Sequence, residues 1–496
     1  MTLSRRDFLK LTGLVAASST LASCRPLYEL AGHPPLIDFP PLSPADFRAL
    51  NRLTFGARPA ERARVAEIGL LAWVEEQLAP DSIDDFACNL RLRNLDTLAM
   101  TGQQLFDLSN KLFDDFDLET VPGQLRQGTL LRQVYSQRQL YEVMVEFWND
   151  HFNIATDKGE CYTLKTVDDR EVARTHALGS FRDLLWASAH SPAMLTYLDN
   201  QANHKGAPNE NYARELLELH TLGIGGGYSQ ADVMELARCL TGWGVKEHFW
   251  RGEFTFDAEQ HDSGEKLVFG VRIQPGGQDE AESVLERLAR HPSTAQFVVG
   301  KLARRFLSDD PPAEIVQKAV QAFDVSAGDL RATLRVLLLD GLPLAGEKYR
   351  RPVNFVAASL RMLNAESDCG PALQEYLMRM GQVPFNWPTP DGYPDRAAAW
   401  QGNLLPRWQF AFALARNELA KTEVYLPALV AASGAAPPTG SGQALDAFAT
   451  LLLGSPLPAK EGEALLASLR AAGASDDELL PILAGGLLAS AAFQWR

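Results

Sequence analysis

The chain has 496 residues, enough to bury a large core, and its 46% apolar and 22% charged residues are ordinary for a globular protein. A formal net charge of −15 argues against a nucleic-acid partner, which would call for a basic stripe, and it disfavours attraction to anionic lipid. Past residue 24 no segment approaches the roughly 20 apolar residues that a membrane-spanning helix needs.

In chain order, Ser4-Arg5-Arg6-Asp7-Phe8-Leu9-Lys10 comes first, followed by a modest apolar run over 11–22. A charged start, a short apolar stretch and small residues mark a signal peptide, and paired arginines in that setting are the address of the twin-arginine exporter. Leu21-Ala22-Ser23-Cys24 is similar to a lipobox, which predicts acylation of Cys24 as the new N-terminus. Ordinary cleavage near Ala22 would instead leave Cys24 a plain residue. Acyl chains contribute about 0.8 kcal/mol per buried methylene, so a lipidated Cys24 would hold the chain on a membrane without help from charge. Arg25 stands where an Asp often retains lipoproteins in the inner membrane. The expectation is a periplasmic protein anchored to the outer membrane, with residues 25–42 as tether.

The remainder reads as mainly α. Ser43 is a candidate cap for a helix over 45–54, and Pro59 opens one running to about 78. A long helical pattern spans 123–152. Further helices fit 168–177, 181–189, 209–222, 230–241, 280–290, 295–307, 313–323, 330–339, 352–363 and 405–419. Between 246 and 273, Phe249, Phe254, Phe256, Val268 and Val271 alternate with polar residues, which predicts a β-hairpin or ordered loop inserted into the helical body. The run 433–442, rich in Pro, Gly and Ala, reads as a linker. The predicted organisation is a large multi-helix domain over 43–432 and a C-terminal helical subdomain over 443–496. Cys88, Cys161, Cys239 and Cys369 have no short spacing, so no disulfide or zinc site is assigned.

Two polar runs are candidates for chemistry. The first starts at Asn209-Glu210-Asn211-Tyr212-Ala213-Arg214-Glu215. At about 100° per residue Asn211, Glu215 and Glu218 share a face, and Arg214 can pair with Glu218. Asn209, Glu210, Asn211 and Arg214 would bind substrate, or would cap and brace neighbouring loops. The second is Glu146-Phe147-Trp148-Asn149-Asp150-His151-Phe152, in which Glu142, Glu146 and Asp150 form an acidic stripe. His151 is rotated about 140° from Glu146, over Met144, Phe147 and Trp148, the apolar side. An Asp150–His151 pair at a helix end would still serve as a general base or metal corner if a second helix brought Glu210 or Glu215 to it. His151 and Glu215 are therefore the candidate metal ligands, and Asp150, His151 and Glu215 the candidate catalytic groups. Trp387-Pro388-Thr389-Pro390-Asp391-Gly392-Tyr393 is an aromatic loop whose Trp387 and Asp391 would suit a sugar by stacking and hydrogen bonding, or would staple the loop to the helices. His261-Asp262-Ser263-Gly264-Glu265-Lys266 mixes a base, acids and a cation. Ser229-Gln230-Ala231-Asp232 resembles a helix-capping box. No nucleophile elbow, His-Glu-x-x-His or phosphate-cradling glycine run occurs.

These blocks together, with Leu50-Asn51-Arg52-Leu53-Thr54-Phe55-Gly56, Leu240-Thr241-Gly242-Trp243 and Lys301-Leu302, resemble the bacterial family known as domain of unknown function 1800. The family commonly carries Phe-Trp-His-Asn-His-Phe where this chain has Asn149 and Asp150 between Trp148 and His151, so the first histidine is absent. The resemblance implies a helical, secreted or periplasmic protein, often encoded beside an exported sulfatase-like protein, and supplies no reaction. Two functions follow as expectations. One is a metal-assisted hydrolase of a cell-envelope glycan, in which a divalent cation activates water between His151 and Glu215. The other is a non-catalytic lipoprotein, a scaffold or partner of an exported sulfatase-like protein.

Overall fold

Many short helices, each ended by an identifiable local feature, build the body of the molecule. The computed structural model describes residues 40–110, 117, 119–248, 250–433, 441–471 and 476–496. The expected export signal with Cys24, the tether up to residue 39, Phe249 and residues 434–440 of the expected linker lie outside the described residues.

The Ser43 Oγ accepts from the Asp46 amide at 3.1 Å and opens the helix Pro44–Leu53. The helix expected over 59–78 is two, Pro59–Ile68 and Leu70–Leu78, because Gly69 sits between them at φ +84°. The pattern over 123–152 is likewise two helices, Thr120–Tyr135 and Gln139–His151. Side chains break it. Asp85 accepts from the Ser136 hydroxyl and the Gln137 amide, both at 2.8 Å, and the Ser136 Oγ accepts from the Arg138 amide at 3.0 Å. Those bonds give the backbone a partner outside the helix.

Two other helices loosen into π-helical turns. Cys161–Asp168 continues as Asp169–Arg174, and Asn211–Glu215 continues as Leu216–Thr221. Such turns are frequent at functional sites. The second one undoes the face count over 209–222, since an added residue per turn rotates everything beyond Leu216.

The segment expected to be β-like, 246–273, holds the hairpin Lys266–Val268 with Val271–Ile273 and one strand of a second, Phe254–Phe256, whose partner Trp243–Val245 precedes the expected start. A further two-residue pair, Glu366–Ser367 with Thr422–Glu423, was not anticipated. The fold is therefore mainly α with small hairpins, as its sequence indicates. One apolar core reaches from Phe47 to Phe493. It includes Leu483, Ala484 and Leu487 of the helix Asp476–Ala489, which lies along Leu405–Ala415. The four cysteines within the described residues are free thiols, all buried.

Candidate functional site

The helix Gln139–His151 places Glu142, Glu146 and Asp150 along one side, as their spacing of four requires. Each carboxylate meets an arginine from elsewhere in the chain. The Arg174 Nη1 donates to both oxygens of Glu142 at 3.0 and 3.1 Å, while its Nε donates to Asp169 at 2.7 Å. Arg351 bridges Asp150 at 2.6 Å and Glu146 at 2.8 Å. Arg305 bridges the same pair at 3.2 and 2.8 Å. The side chains of Arg305 and Arg351 are only 2% exposed, so the acids and guanidiniums neutralise one another away from water. The stripe is an internal brace. Beside it lies a polar cavity of about 30 Å³, lined among others by Gln133, Glu146, Asn149, Asn153 and Tyr393. A space needs roughly 10–15 Å³ to hold one water, so this one takes about two waters and no sugar.

His151 does not meet Glu215 across an open gap. Its ring is 1% exposed and packed by Phe147, Trp148, Phe152, Phe181 and Phe297. Its Nε2 donates to the His220 carbonyl at 3.0 Å, and Nδ1 faces no hydrogen-bond partner. Burial, then the Lys301 charge and His220, hold the imidazole well below the usual range, so it stays neutral. A sealed imidazole with one nitrogen engaged cannot ligate an ion together with Glu215, and it cannot take a proton from a substrate. The sequence placed His151 on the apolar side of its helix, and that geometry decided its fate. His220 is equally buried, its two ring nitrogens lack partners, and burial pushes it down to about 3.

Lys301, on the helix Pro292–Phe306, is the charged group nearest these rings that sequence reasoning passed over. Burial lowers its ammonium to about 8, while Asp150 and Asp395 pull the other way. Its only signal was membership of the blocks that carry the family resemblance.

Four of the residues expected to bind substrate are already committed. The Asn209 Oδ1 accepts from the Asn211 amide at 2.9 Å, and its Nδ2 donates to the Asp199 carbonyl at 3.3 Å. The Asn211 Nδ2 donates to the Leu198 carbonyl at 3.1 Å. The Arg214 Nη2 donates to Glu210 and to Gln230, both at 2.8 Å, and Gln230 closes the ring by donating to Glu210 at 2.6 Å. These side chains brace the start of the helix, the structural alternative weighed from the sequence. Glu215 differs. Among the described residues its half-buried carboxylate makes no hydrogen bond and no ion pair. Burial first, then the charges of Glu218 and Asp391, raise its proton affinity, with Arg214 opposing.

Asp391 comes from a loop that the end of the acidic-stripe helix holds in place. The Asn153 Nδ2 donates to the carbonyls of Trp387 and Thr389 at 2.9 and 2.8 Å, and the Tyr197 hydroxyl donates to the Pro388 carbonyl at 2.9 Å. The Thr156 amide donates to the Phe385 carbonyl at 2.9 Å. Gly392, at φ +73°, presses against the Asp150 backbone so closely that a Cβ would overlap the Asp150 carbonyl. Within the loop, Asp391 Oδ1 accepts from the Trp387 Nε1 at 3.0 Å and from the Thr389 hydroxyl at 2.5 Å. The Asp391 charge acts on the Glu215 carboxyl, and Asp391 bonds Trp387, so these residues, read from the sequence as separate blocks, lie within electrostatic reach of one another.

A family model described as "Protein of unknown function (DUF1800)" matches residues 48–495, nearly all of the described chain. The chain belongs to the DUF1800 family. No curated protein and no solved structure matches it.

The remaining polar blocks of this DUF1800 chain are structural in character. The His261 Nδ1 donates to the Thr241 carbonyl at 2.8 Å, its Nε2 meets Glu280 at 3.1 Å, and Lys266 pairs with the same Glu280, with the His261, Lys266 and Glu280 side chains at most 4% exposed. Ser229 and Asp232 form the expected reciprocal cap. Among the described residues no three His, Cys, Asp or Glu side chains are grouped to hold a metal ion. The donors expected for a divalent cation do not fit one, because His151 is sealed and the Asp150 carboxylate is held by guanidiniums.

Proposed function

We propose that this DUF1800 protein is a hydrolase of a cell-envelope glycan whose reacting groups are Glu215 and Asp391. The observation that carries this reading is the unpaired Glu215 carboxyl, whose proton affinity is raised in part by the charge of Asp391 from a clamped loop that also bears an indole. Two carboxyl groups in unequal surroundings are the usual equipment for splitting a glycosidic bond. Glu215, which holds its proton more tightly than a free glutamate, would protonate the departing sugar oxygen. Asp391, exposed, would take a proton from the water whose oxygen bonds to the anomeric carbon. The C–O bond breaks, one water is consumed, and the proton taken by Asp391 passes to solvent as Glu215 regains one from it, which restores both groups. The Trp387 ring would give the sugar a stacking face, its orientation fixed by the bond from Nε1 to Asp391.

The twin-arginine pattern around Arg5 and Arg6 and the lipobox-like Cys24 support export and lipid anchoring, which would place the enzyme beside such a glycan. Metabolic labelling with a radioactive fatty acid would mark the parent and not Cys24→Ala.

The deciding assay is release of reducing ends from fractionated envelope polysaccharides. The parent releases them, and Glu215→Gln loses at least a hundredfold in rate with an unchanged or higher melting temperature, because an unfavourably ionised group has been removed. A second reading, a non-catalytic partner of an exported sulfatase-like protein, draws support from the internal commitment of Asn209, Glu210, Asn211 and Arg214. It would stand if no fraction were cleaved and such a protein co-purified equally with the parent and with Glu215→Gln.

A further inference from the structure

A separate groove lies between the helices Pro371–Met380 and Leu405–Ala415, with a volume of about 550 Å³. That is within the roughly 300–1,000 Å³ range of ligand sites. Its walls are the rings of Tyr376, Trp408 and Phe412 and the guanidiniums of Arg379 and Arg416. The rings are held. The Trp408 Nε1 donates to the Ala489 carbonyl at 3.0 Å while the residue stays 44% exposed, and Tyr376 packs edge-on against Phe410 at 5.5 Å. Arg379 sits 5.1 Å over the Tyr376 ring and Arg416 5.7 Å over Phe412.

Charge is what singles this groove out. In a chain of net charge −15, both arginines are exposed, and among the described residues neither is within ion-pair distance of a carboxylate. Arg379 bonds only the neutral Gln409 side chain, and Glu418 on the rim is the sole acid lining the groove. Trp408 and Phe412 are four residues, about 6 Å along the helix axis, apart, close to the length of one hexose unit. Stacking faces at that interval, flanked by planar donors suited to carboxylate or sulfate, match a polysaccharide bearing anionic groups.

We propose that this groove binds an anionic glycan. Binding here does not depend on the role given to Glu215, although the segment joining the two helices carries Trp387 and Asp391. Guanidinium groups receive the anionic substituents while the apolar faces of the sugar rings lie on Trp408 and Phe412.

The test is calorimetric titration of the full chain with polygalacturonate, dextran sulfate, unmodified dextran and polyglutamate. Binding is expected for at least one of the two anionic glycans, and weaker by tenfold or more for unmodified dextran and for polyglutamate. Affinity for polygalacturonate alone identifies carboxylate-bearing sugars, and affinity for dextran sulfate alone identifies sulfated ones. The double variant Arg379→Gln/Arg416→Gln, altered only at exposed positions, should melt like the parent and lose at least tenfold in affinity. Trp408→Ala should weaken both anionic and residual dextran binding, with its melting temperature recorded as the control for the lost Ala489 contact. The proposal is overturned if neither anionic glycan binds, if polyglutamate binds as well as the glycans, or if the double variant binds like the parent.

Discussion

Glu215 and His220 are five residues apart on one helix and meet opposite fates. Glu215 precedes the π-helical turn and keeps a carboxylate free of partners, whereas His220 ends inside the core with two bare ring nitrogens. A histidine buried as the neutral base favours folding only while it is unprotonated. In the unfolded chain His220 titrates near 6.5, and in the folded chain at about 3. Its contribution is therefore full above about pH 6.5 and is lost as pH falls towards 3, at about 1.4 kcal/mol per pH unit. His151, lowered in the same direction, adds to the effect. His220→Leu keeps the backbone carbonyl that His151 uses, so its melting temperature should fall less steeply than that of the parent between pH 6 and pH 4. Equal slopes in a calorimetric pH series would contradict this. At this scale the sequence was half legible. It marked Glu215, Trp387 and Asp391 as polar residues in unusual runs, and the 140° rotation of His151 from Glu146 already pointed its ring at the core. What no local pattern could show is which polar side chains would spend their hydrogen bonds on one another, as Glu210, Arg214 and Gln230 do, because that depends on a residue 16 positions away from Arg214.

Among the elements, the helix Gln139–His151 and the loop after it organise the site without contributing a reacting group. Asn153 clamps the Trp387 and Thr389 carbonyls, and the backbone at Asp150 receives Gly392. Gly392→Ala should therefore displace the loop, both because φ +73° disfavours a side chain and because the Cβ has no room. The expected cost is about 1–3 kcal/mol of stability with a much larger loss of hydrolysis, since Asp391 moves with the loop. Thermal melting and the reducing-end assay together would show it, and a variant with parental activity would exclude the clamp as a positioning device. The spans read as helical from periodicity are helical, but Phe86–Leu92, Cys161–Asp168 and Pro371–Met380 were not anticipated, and neither were the helix breaks. Gly69 was visible as a breaker, but the break after Tyr135 needs Asp85, some 50 positions earlier in the chain, to hold Ser136 and Gln137. The single β-like insertion resolved into two hairpins for a similar reason, each pairing being set by its own register.

Across the described molecule, the residues at 495 and 496 are clasped to the helix Pro44–Leu53 and to the segment 348–350. The Arg52 Nη2 donates to the Arg496 carbonyl oxygen at 2.6 Å, the Arg350 Nη1 donates to the Trp495 carbonyl at 2.7 Å, and the Lys348 amide donates to the Arg496 carbonyl oxygen at 3.0 Å. Removing Trp495 and Arg496 takes one acceptor from each of two buried guanidiniums, while Arg52 keeps the Leu307 and Gly346 carbonyls and Arg350 keeps Asn51 and the Phe493 carbonyl, so calorimetry should show the main unfolding transition destabilised by about 2 kcal/mol. A main transition left in place, with only a small C-terminal event lost, would contradict a shared core. The same long-range assembly sets Gly392 against the Asp150 backbone and lets the Asp391 charge act on Glu215, and it is the part of the account that no run of sequence displayed. It is tested most directly by following the Glu215 side-chain carbon through a pH titration by NMR, in the parent and in Asp391→Asn. The account predicts a midpoint above that of a free glutamate in the parent and a lower midpoint in Asp391→Asn. An ordinary midpoint that Asp391→Asn leaves unmoved would mean that the two carboxylates do not share a site.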